Sequence, residues 1–359
     1  MIKIIADASL PDLSDFFQPP FLITPFTAGP DLYQQIQEHD VLLCRSTLKI
    51  DAALLADTRI SCIATVSSGT DHIVATNPQK SIQIIDAKGA NACAVADYVI
   101  ACLAYCQQHS YVQGLHAGVI GVGAVGSAVT LRLRELGFHV SCYDPLRAAH
   151  DHQFLSCELD ALLGCDLLCV HANLHDQRPY PSRHLLGKHF LSQLKAGTVI
   201  INAARGDIVD ETALLSCTQS LHYCTDVYAA EPQVSRPLVN YATICTPHIA
   251  GHSIEARSRG LHLVSQKLHH YFGLSCSAVH NHATDLLLQS VPFAAWQDAI
   301  LSIYDPEVET HQLKQATDLS NTFLELRKAH RHRHEFHHYA WPEMDRLLQA
   351  ALGKNCQTL

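Results

Sequence analysis

Over the first 90 positions, short apolar runs at 2–6, 21–24, 40–44, 62–66 and 82–85 alternate with polar, helix-compatible stretches. Runs of this length read as strands, and strands separated by helix-length sequence predict a parallel α/β sheet. Residues 92–108 (ACAVADYVIACLAYCQQ) are apolar almost all round, which predicts a helix buried on several faces and suited to a domain junction. A second alternation follows, with strands expected at 118–122, 140–143, 167–171, 199–202, 223–227 and 243–246. Residues 253–272 have the pattern of a long amphipathic helix. Beyond about 285 the βα rhythm stops, and 313–339 is helix-compatible and rich in histidine.

The reading is therefore two doubly wound parallel α/β domains, a flavodoxin-like one and a Rossmann one, with a small C-terminal α+β module. The expected boundaries are 1–91 with 255–284, then 92–254, then 285–359. A length of 359 residues is too great for one ordinary core and fits this division.

Composition narrows the class. A hydrophobic fraction of 48% with 16% charged residues describes a well-buried globular chain. The formal net charge of −9 argues against nucleic-acid binding, and the one basic run, RKAHRHRH at 327–334, is short and has histidine at three of its eight positions. No apolar stretch reaches the ~18 residues of a membrane span. The opening MIKIIADASL reads as a first strand and not as a signal peptide, so a cytoplasmic location is expected. None of the 14 cysteines forms CxxC, and they are expected to be reduced core residues.

The chemistry begins at GVIGVGAVG (118–126), a GxGxxG at Gly121, Gly123 and Gly126 that follows one expected strand and opens a helix. The first glycine permits the tight turn, the second lets a diphosphate approach the backbone, and the third lets helix and strand pack closely. Unpaired N–H groups at the helix start favour the phosphates. The next strand ends in Asp144, 18 residues past Gly126, where a carboxylate would accept from a ribose diol and repel a 2′-phosphate. NAD rather than NADP is therefore expected. Arg147 would either contact the nucleotide or lie in solvent.

Three further segments each follow a strand: INAARGD (201–207), TDVYAAEP (225–232) and TPHIAG (246–251). Open α/β sheets bind ligands at that edge. An Arg, a Glu and a His there suit hydride transfer. His248 would take the hydroxyl proton, Glu231 would orient the imidazole, and Arg205 would hold a carboxylate bidentately.

On these motifs the chain, from residue 1 to about 280, resembles the D-isomer-specific 2-hydroxyacid dehydrogenases. The resemblance implies Arg205, Glu231 and His248 as catalytic residues. It also implies NAD contacts from Gly121, Gly123, Val125, Gly126, Asp144, Ala172, Ala203, Ala204, Asp226 and Gly251, with Ala172 acting through its backbone. CRSTLKID (44–51), SSGTDHI (67–73), YDPLRA (143–148) and TPHIAGHSIEARSRG (246–260) point within that family to a branch acting on a phosphorylated acid. Arg45, Ser46, Ser67 and His252 are its implied substrate contacts; His252 stands where relatives carry Tyr. Another D-2-hydroxyacid (glycerate, 3-phosphoglycerate or lactate) or a non-catalytic NAD-sensing role remain the alternatives. The resemblance also implies that 323–341 belongs to a homodimerisation tail. NAD is expected to bind first, and domain closure to exclude water. HExxH at 334–338 would place two histidines on one helix face; without further ligand context no metal is expected.

Overall fold

The computed structural model describes residues 1–29, 31–74, 81–276, 286–290, 292–330 and 333–354. It divides into two compact units, Met1–Asn91 with Ile254–Thr284, and Ala92–Ser253 with Asp285–Leu359.

The first unit is built on five parallel strands, β1 (Ile2–Asp7), β2 (Phe21–Phe26), β3 (Val41–Cys44), β4 (Cys62–Thr65) and β5 (Gln83–Ile85), in the order β2-β1-β3-β4-β5. That is the flavodoxin-like order. Every residue of β3 and β4 is buried, because helices and loops cover both faces of a parallel sheet. On one face, Leu261, Val264 and Leu268 of the helix Ile254–Tyr271 pack with Ile4, Val41 and Cys62. Leu32, Ile36, Leu42 and Ile63 form a second cluster.

The second unit carries β6 (His116–Ile120), β7 (His139–Tyr143), β8 (Leu167–Val170), β9 (Val199–Asn202), β10 (His222–Thr225) and β11 (Ile244–Cys245). Their order is β11-β10-β9-β8-β6-β7, all parallel. The chain switches direction between β6 and β8, the topological switch point at which doubly wound sheets bind ligands. The helix Ala92–Gln108 is buried along nearly its whole length, as its apolar periphery requires.

The C-terminal segment was expected to stand apart as a module, with a boundary at 284/285 that lies outside the described residues. It groups instead with the nucleotide-type sheet. Its helix Trp296–Ile303 puts Trp296, Ala299 and Ile300 into the same core as Tyr98, Cys102 and Cys106 of the 92–108 helix. The all-round apolar character of that helix is explained by the tail as much as by the sheet. A buried ion pair, Arg132 Nη1 to Asp97 Oδ1 at 2.5 Å, adds Phe336 of the tail, whose N–H donates to Asp97 Oδ2 at 2.9 Å. Removing one member of such a pair costs about 3–5 kcal/mol. The tail is also less helical than its pattern suggests. Helices span Glu307–Gln315 and Leu319–Ala329, but Phe336–His338 is a single 3-10 turn followed by β13 (Tyr339–Ala340), which pairs with β12 (Leu287–Leu288).

That turn removes the helical basis of the HExxH reading. Glu335 is fully buried and accepts from the Ser253 hydroxyl at 3.0 Å, and no cluster of three metal-ligating side chains occurs among the described residues. No helix of the described residues is long and apolar enough to cross a membrane.

Candidate active site

The glycine turn lies at the switch point. Gly121 has φ +82°, and a Cβ there would meet the Ala172 backbone at 2.4 Å. A Cβ on Gly126 would fall 2.0 Å from the Gly121 carbonyl oxygen. Gly123 differs, for a Cβ there would meet nothing within 4 Å. Gly123 caps the helix Ala124–Glu135 with no side-chain hydrogen bond, so its first N–H groups, including that of Val125, face an open cradle. An apolar recess beside the turn is lined by Gly121, Asp144, Pro145, Leu146, Ala172 and Tyr180. These features fit a dinucleotide diphosphate with a flat ring beyond it.

Asp144, at the end of β7, is already a staple. Its carboxylate accepts from the N–H of Val122 at 2.8 Å and from that of Arg147 at 2.9 Å. Arg147 is neither a bare solvent residue nor a simple phosphate ligand. Its Nη1 donates to the Val122 carbonyl at 2.8 Å, and its Nη2 pairs with Asp151 at 3.0 Å. His171, just before Ala172, has no hydrogen-bond partner for either ring nitrogen, and burial pushes its pKa down to about 3, so it is neutral.

Beyond β9, Asn202 organises the arginine loop. Its Nδ2 donates to the Arg205 carbonyl at 3.0 Å, and its Oδ1 accepts from the Ala204 N–H at 3.1 Å. Ala203 is half-buried and Ala204 buried. Arg205 is half-buried, with Nη1 donating to the Ala204 carbonyl at 2.7 Å. Gly206 lets this loop touch the next one, since a Cβ there would lie 2.0 Å from the Tyr228 backbone.

Beyond β10 and β11 stands the acid–histidine pair. His248 Nδ1 lies 2.7 Å from Glu231 Oε2, and Glu231 Oε1 accepts from the Tyr228 N–H at 2.9 Å. Burial alone would raise the Glu231 pKa, but the charge of His248 and the hydrogen bonds outweigh it and hold the carboxyl below its ordinary value. His248 has φ +57°, a left-handed conformation that a non-glycine residue keeps only when its surroundings impose it.

The surroundings are explicit. Asp226 Oδ1 accepts from the Ile249 N–H and Oδ2 from the Ala250 N–H, each at 2.8 Å. Thr246 Oγ1 donates to Asp226 at 2.7 Å and meets the Tyr98 hydroxyl at 2.8 Å. Asp226 is buried, and burial raises its pKa although His248 and these hydrogen bonds oppose the rise. The carboxylate expected at the cofactor thus also holds the histidine loop. Gly251 and His252 follow, both half-buried, with the two rings of His252 and His330 5.9 Å apart.

In the first unit the three expected substrate residues sit at strand ends. Arg45 Nε donates to Asp7 Oδ2 at 2.9 Å, joining the ends of β3 and β1. The Ser46 N–H donates to Ser67 Oγ at 3.0 Å, joining β3 and β4. Sequence reasoning missed Asn202, Thr246, Tyr98 and the tail residues. Only the position of Asn202 and Thr246 at strand ends signalled them; Tyr98 reads as one more apolar helix residue.

Residues 104–250 match the family model described as D-isomer specific 2-hydroxyacid dehydrogenase, NAD binding domain. The chain is 48% identical to the erythronate-4-phosphate dehydrogenase of Legionella pneumophila (strain Lens), over 94% of this chain and 96% of that one. It is 35% identical to the enzyme of that name from Coxiella burnetii (strain RSA 493), over 94% of each chain. Among solved structures, an NAD-dependent formate dehydrogenase from Staphylococcus aureus aligns with TM-score 0.62 at 21% identity, over 77% of this chain and 98% of that one. A 3-phosphoglycerate dehydrogenase from Entamoeba histolytica aligns with TM-score 0.63 at 19% identity, over 76% and 95%. Those two likenesses establish the fold. With near-full-length identity to the curated relatives, a nucleotide turn at the switch point and an acid–histidine pair beyond the last strands, the chain is an NAD-dependent oxidoreductase and belongs to the erythronate-4-phosphate dehydrogenases of the D-isomer-specific 2-hydroxyacid dehydrogenase family.

Proposed function

We propose that this chain oxidises 4-phospho-D-erythronate to (R)-3-hydroxy-2-oxo-4-phosphooxybutanoate with NAD, a step of vitamin B6 biosynthesis. Identity to relatives bearing that activity's name supports the substrate. The observation that carries the chemistry is the 2.7 Å contact between His248 Nδ1 and Glu231.

With Nδ1 donating to the carboxylate, Nε2 is the basic nitrogen and takes the hydroxyl proton. The imidazolium so formed sits against the ionised Glu231, which stabilises the charge at the moment it appears. Arg205, with five donors in a planar fork, holds the substrate carboxylate and polarises the carbon–oxygen bond. NAD supplies the hydride acceptor when bound. Its diphosphate would be held at Gly121, Gly123, Val125 and Gly126, and its ribose at Asp144. Ala172, Ala203, Ala204 and Gly251 would line its length, with Asp226 acting on it through the 249–250 loop. Arg45, Ser46 and Ser67, and separately His252, are proposed to bind the phosphorylated acid.

Residues 1–91 with 255–284 would serve the substrate, 92–254 the cofactor, and 285–359 homodimerisation, in the cytoplasm. Leu286, Leu288, Val308, Leu324 and Leu347 are large exposed apolar residues of the tail, available to a partner. Light scattering at micromolar concentration is expected to give a dimer, and a monomer would remove that part of the proposal.

The test of the reaction is NADH formation with 4-phospho-D-erythronate beside D-glycerate and 3-phosphoglycerate, with a 2-oxo acid added in parallel to discharge retained NADH. Selective turnover of the phosphoerythronate, lowered about 10³-fold or more in His248→Ala, is expected. Selective turnover of another acid would move the substrate. NAD binding without any turnover would leave the sensor.

A further inference from the structure

The loop that carries His248 has no regular secondary structure between β11 and the 254–271 helix, so its backbone polar groups need partners from elsewhere. Its N–H groups at 249 and 250 are taken by Asp226. The Thr246 carbonyl accepts from the Tyr228 hydroxyl and the Ile249 carbonyl from the His252 N–H, whereas those of Ala250 and His252 are met by the tail. Arg333 Nη1 donates to the His252 carbonyl at 3.0 Å, and Nη2 to the Ala94 carbonyl at 2.8 Å and the Ala250 carbonyl at 3.5 Å. Ala250, two residues from His248, is therefore gripped on both sides, its N–H by a buried carboxylate and its C=O by a buried guanidinium.

Arg333 is itself fixed. It is 9% exposed, its guanidinium carbon lies 4.7 Å from the centre of the Tyr304 ring and 5.8 Å from that of Phe336, and its backbone forms a parallel bridge with Ser253. The neighbouring Glu335 accepts from the Ser253 hydroxyl at 3.0 Å. A second tail contact secures the strand before the loop, where Thr310 Oγ1 accepts from the Cys245 N–H at 2.9 Å. A planar fork suits this task and a single ammonium does not, because three carbonyls in different directions are served at once.

We propose that Arg333 is a positioning residue for the reaction, holding the 246–252 loop so that His248 keeps its left-handed backbone and its alignment with Glu231. The tail then completes the active site of its own chain, apart from any role in assembly. The inference rests on His248 being the acid–base group of the proposed oxidation.

The test compares the full-length protein with Arg333→Met and Arg333→Lys. The readouts are kcat, the KM for the hydroxyacid, the Kd for NAD by fluorescence, and amide hydrogen exchange of peptides covering 246–253. Arg333→Met is expected to lower kcat about 10- to 100-fold, since misplacing a catalytic group by an ångström costs that much. NAD affinity should fall far less than kcat, because Gly251 and the 249–250 backbone are only a small part of the proposed cofactor contacts, and amide exchange in the loop should quicken. Arg333→Lys is expected to recover part of kcat and to slow the exchange again. If the methionine variant does not fold, the lysine variant decides by the same readouts, with kcat below wild type and faster loop exchange. Wild-type kcat and wild-type exchange in a folded variant would overturn the proposal, as would an equal loss of NAD affinity and kcat, which marks a general structural role. If the wild-type protein turns over no hydroxyacid while loop exchange still responds to Arg333, the functional reading fails and the clamp stands.

Discussion

The two sheets of this protein end in differently built edges. At the carboxyl edge of the six-stranded sheet most loops are tied by a buried or half-buried side chain to nearby backbone: Asp144 to Val122, Asn202 to Ala204 and Arg205, Asp226 to Ile249 and Ala250. At the edge of the five-stranded sheet the ties are fewer and wetter. The Arg45 side chain is 42% exposed on Asp7, and Ser46 leans on one serine hydroxyl. The first edge fixes geometry before a ligand arrives, which chemistry requires. The second presents donors that adjust, which suffices for recognition.

That difference can be broken most deeply at Glu231. Glu231→Gln keeps an acceptor for His248 but removes the charge that stabilises the imidazolium, and kcat is expected to fall about 10²-fold with NAD affinity unchanged. The same variant tests linkage. Because the folded Glu231 pKa lies below its ordinary value, its ionisation favours the folded state at neutral pH. That contribution is lost as pH falls below the ordinary glutamate value of ~4.3 and through the lowered folded one. Urea midpoints followed downward from pH 6 should therefore drop more steeply in wild type than in Glu231→Gln; parallel curves would contradict the assignment.

A smaller effect is expected at Gly123. Alanine there meets no atom of the protein and suits its backbone, so the melting temperature should hold within a degree or two. The methyl group would occupy the cradle in front of the helix, and the Kd for NAD should rise about 10- to 30-fold by calorimetry. An unchanged Kd would show that the diphosphate lies elsewhere. The smallest effect belongs to the looser edge. Ser67→Ala is expected to raise the KM for the phosphorylated acid about threefold without changing kcat, one neutral hydrogen bond being worth about 1 kcal/mol. A loss confined to kcat would mean that this edge, too, is built for chemistry.

Much of this was legible in the chain. Alternating apolar runs gave all eleven strands of the two sheets, because a buried parallel strand must be continuously apolar. Gly121 and Gly126 answer a local steric demand, while Gly123 leaves open the space in front of the helix, and the spacing of the three made the turn stand out. Glu231 and His248 were legible through their motifs, and their 2.7 Å contact was expected. What could not be read was who holds the loops. The resemblance implies Asp226 as a cofactor contact, but its position after a strand does not tell that its carboxylate also holds the 249–250 backbone. Arg333 lies 85 residues past His248, in a tail whose helix-compatible composition hid a 3-10 turn and a β-bridge. Such partnerships are set by tertiary packing, for which local pattern carries no signal.

The closing of the tail over the 92–108 helix also sets an order of events in time. Trp296, Ile300 and Phe336 are made long after the helix they cover, and Arg333 is made after every strand of both large sheets. On the ribosome the nucleotide-type sheet can assemble while one face of that helix is still bare and the Ala250 and His252 carbonyls still lack Arg333. A chain released before residue 333 would have both large sheets complete but an apolar flank and an unfinished loop, a better client for a chaperone than an enzyme. Activity in this protein should therefore mature only after residue 333 has been made and has docked on the loop.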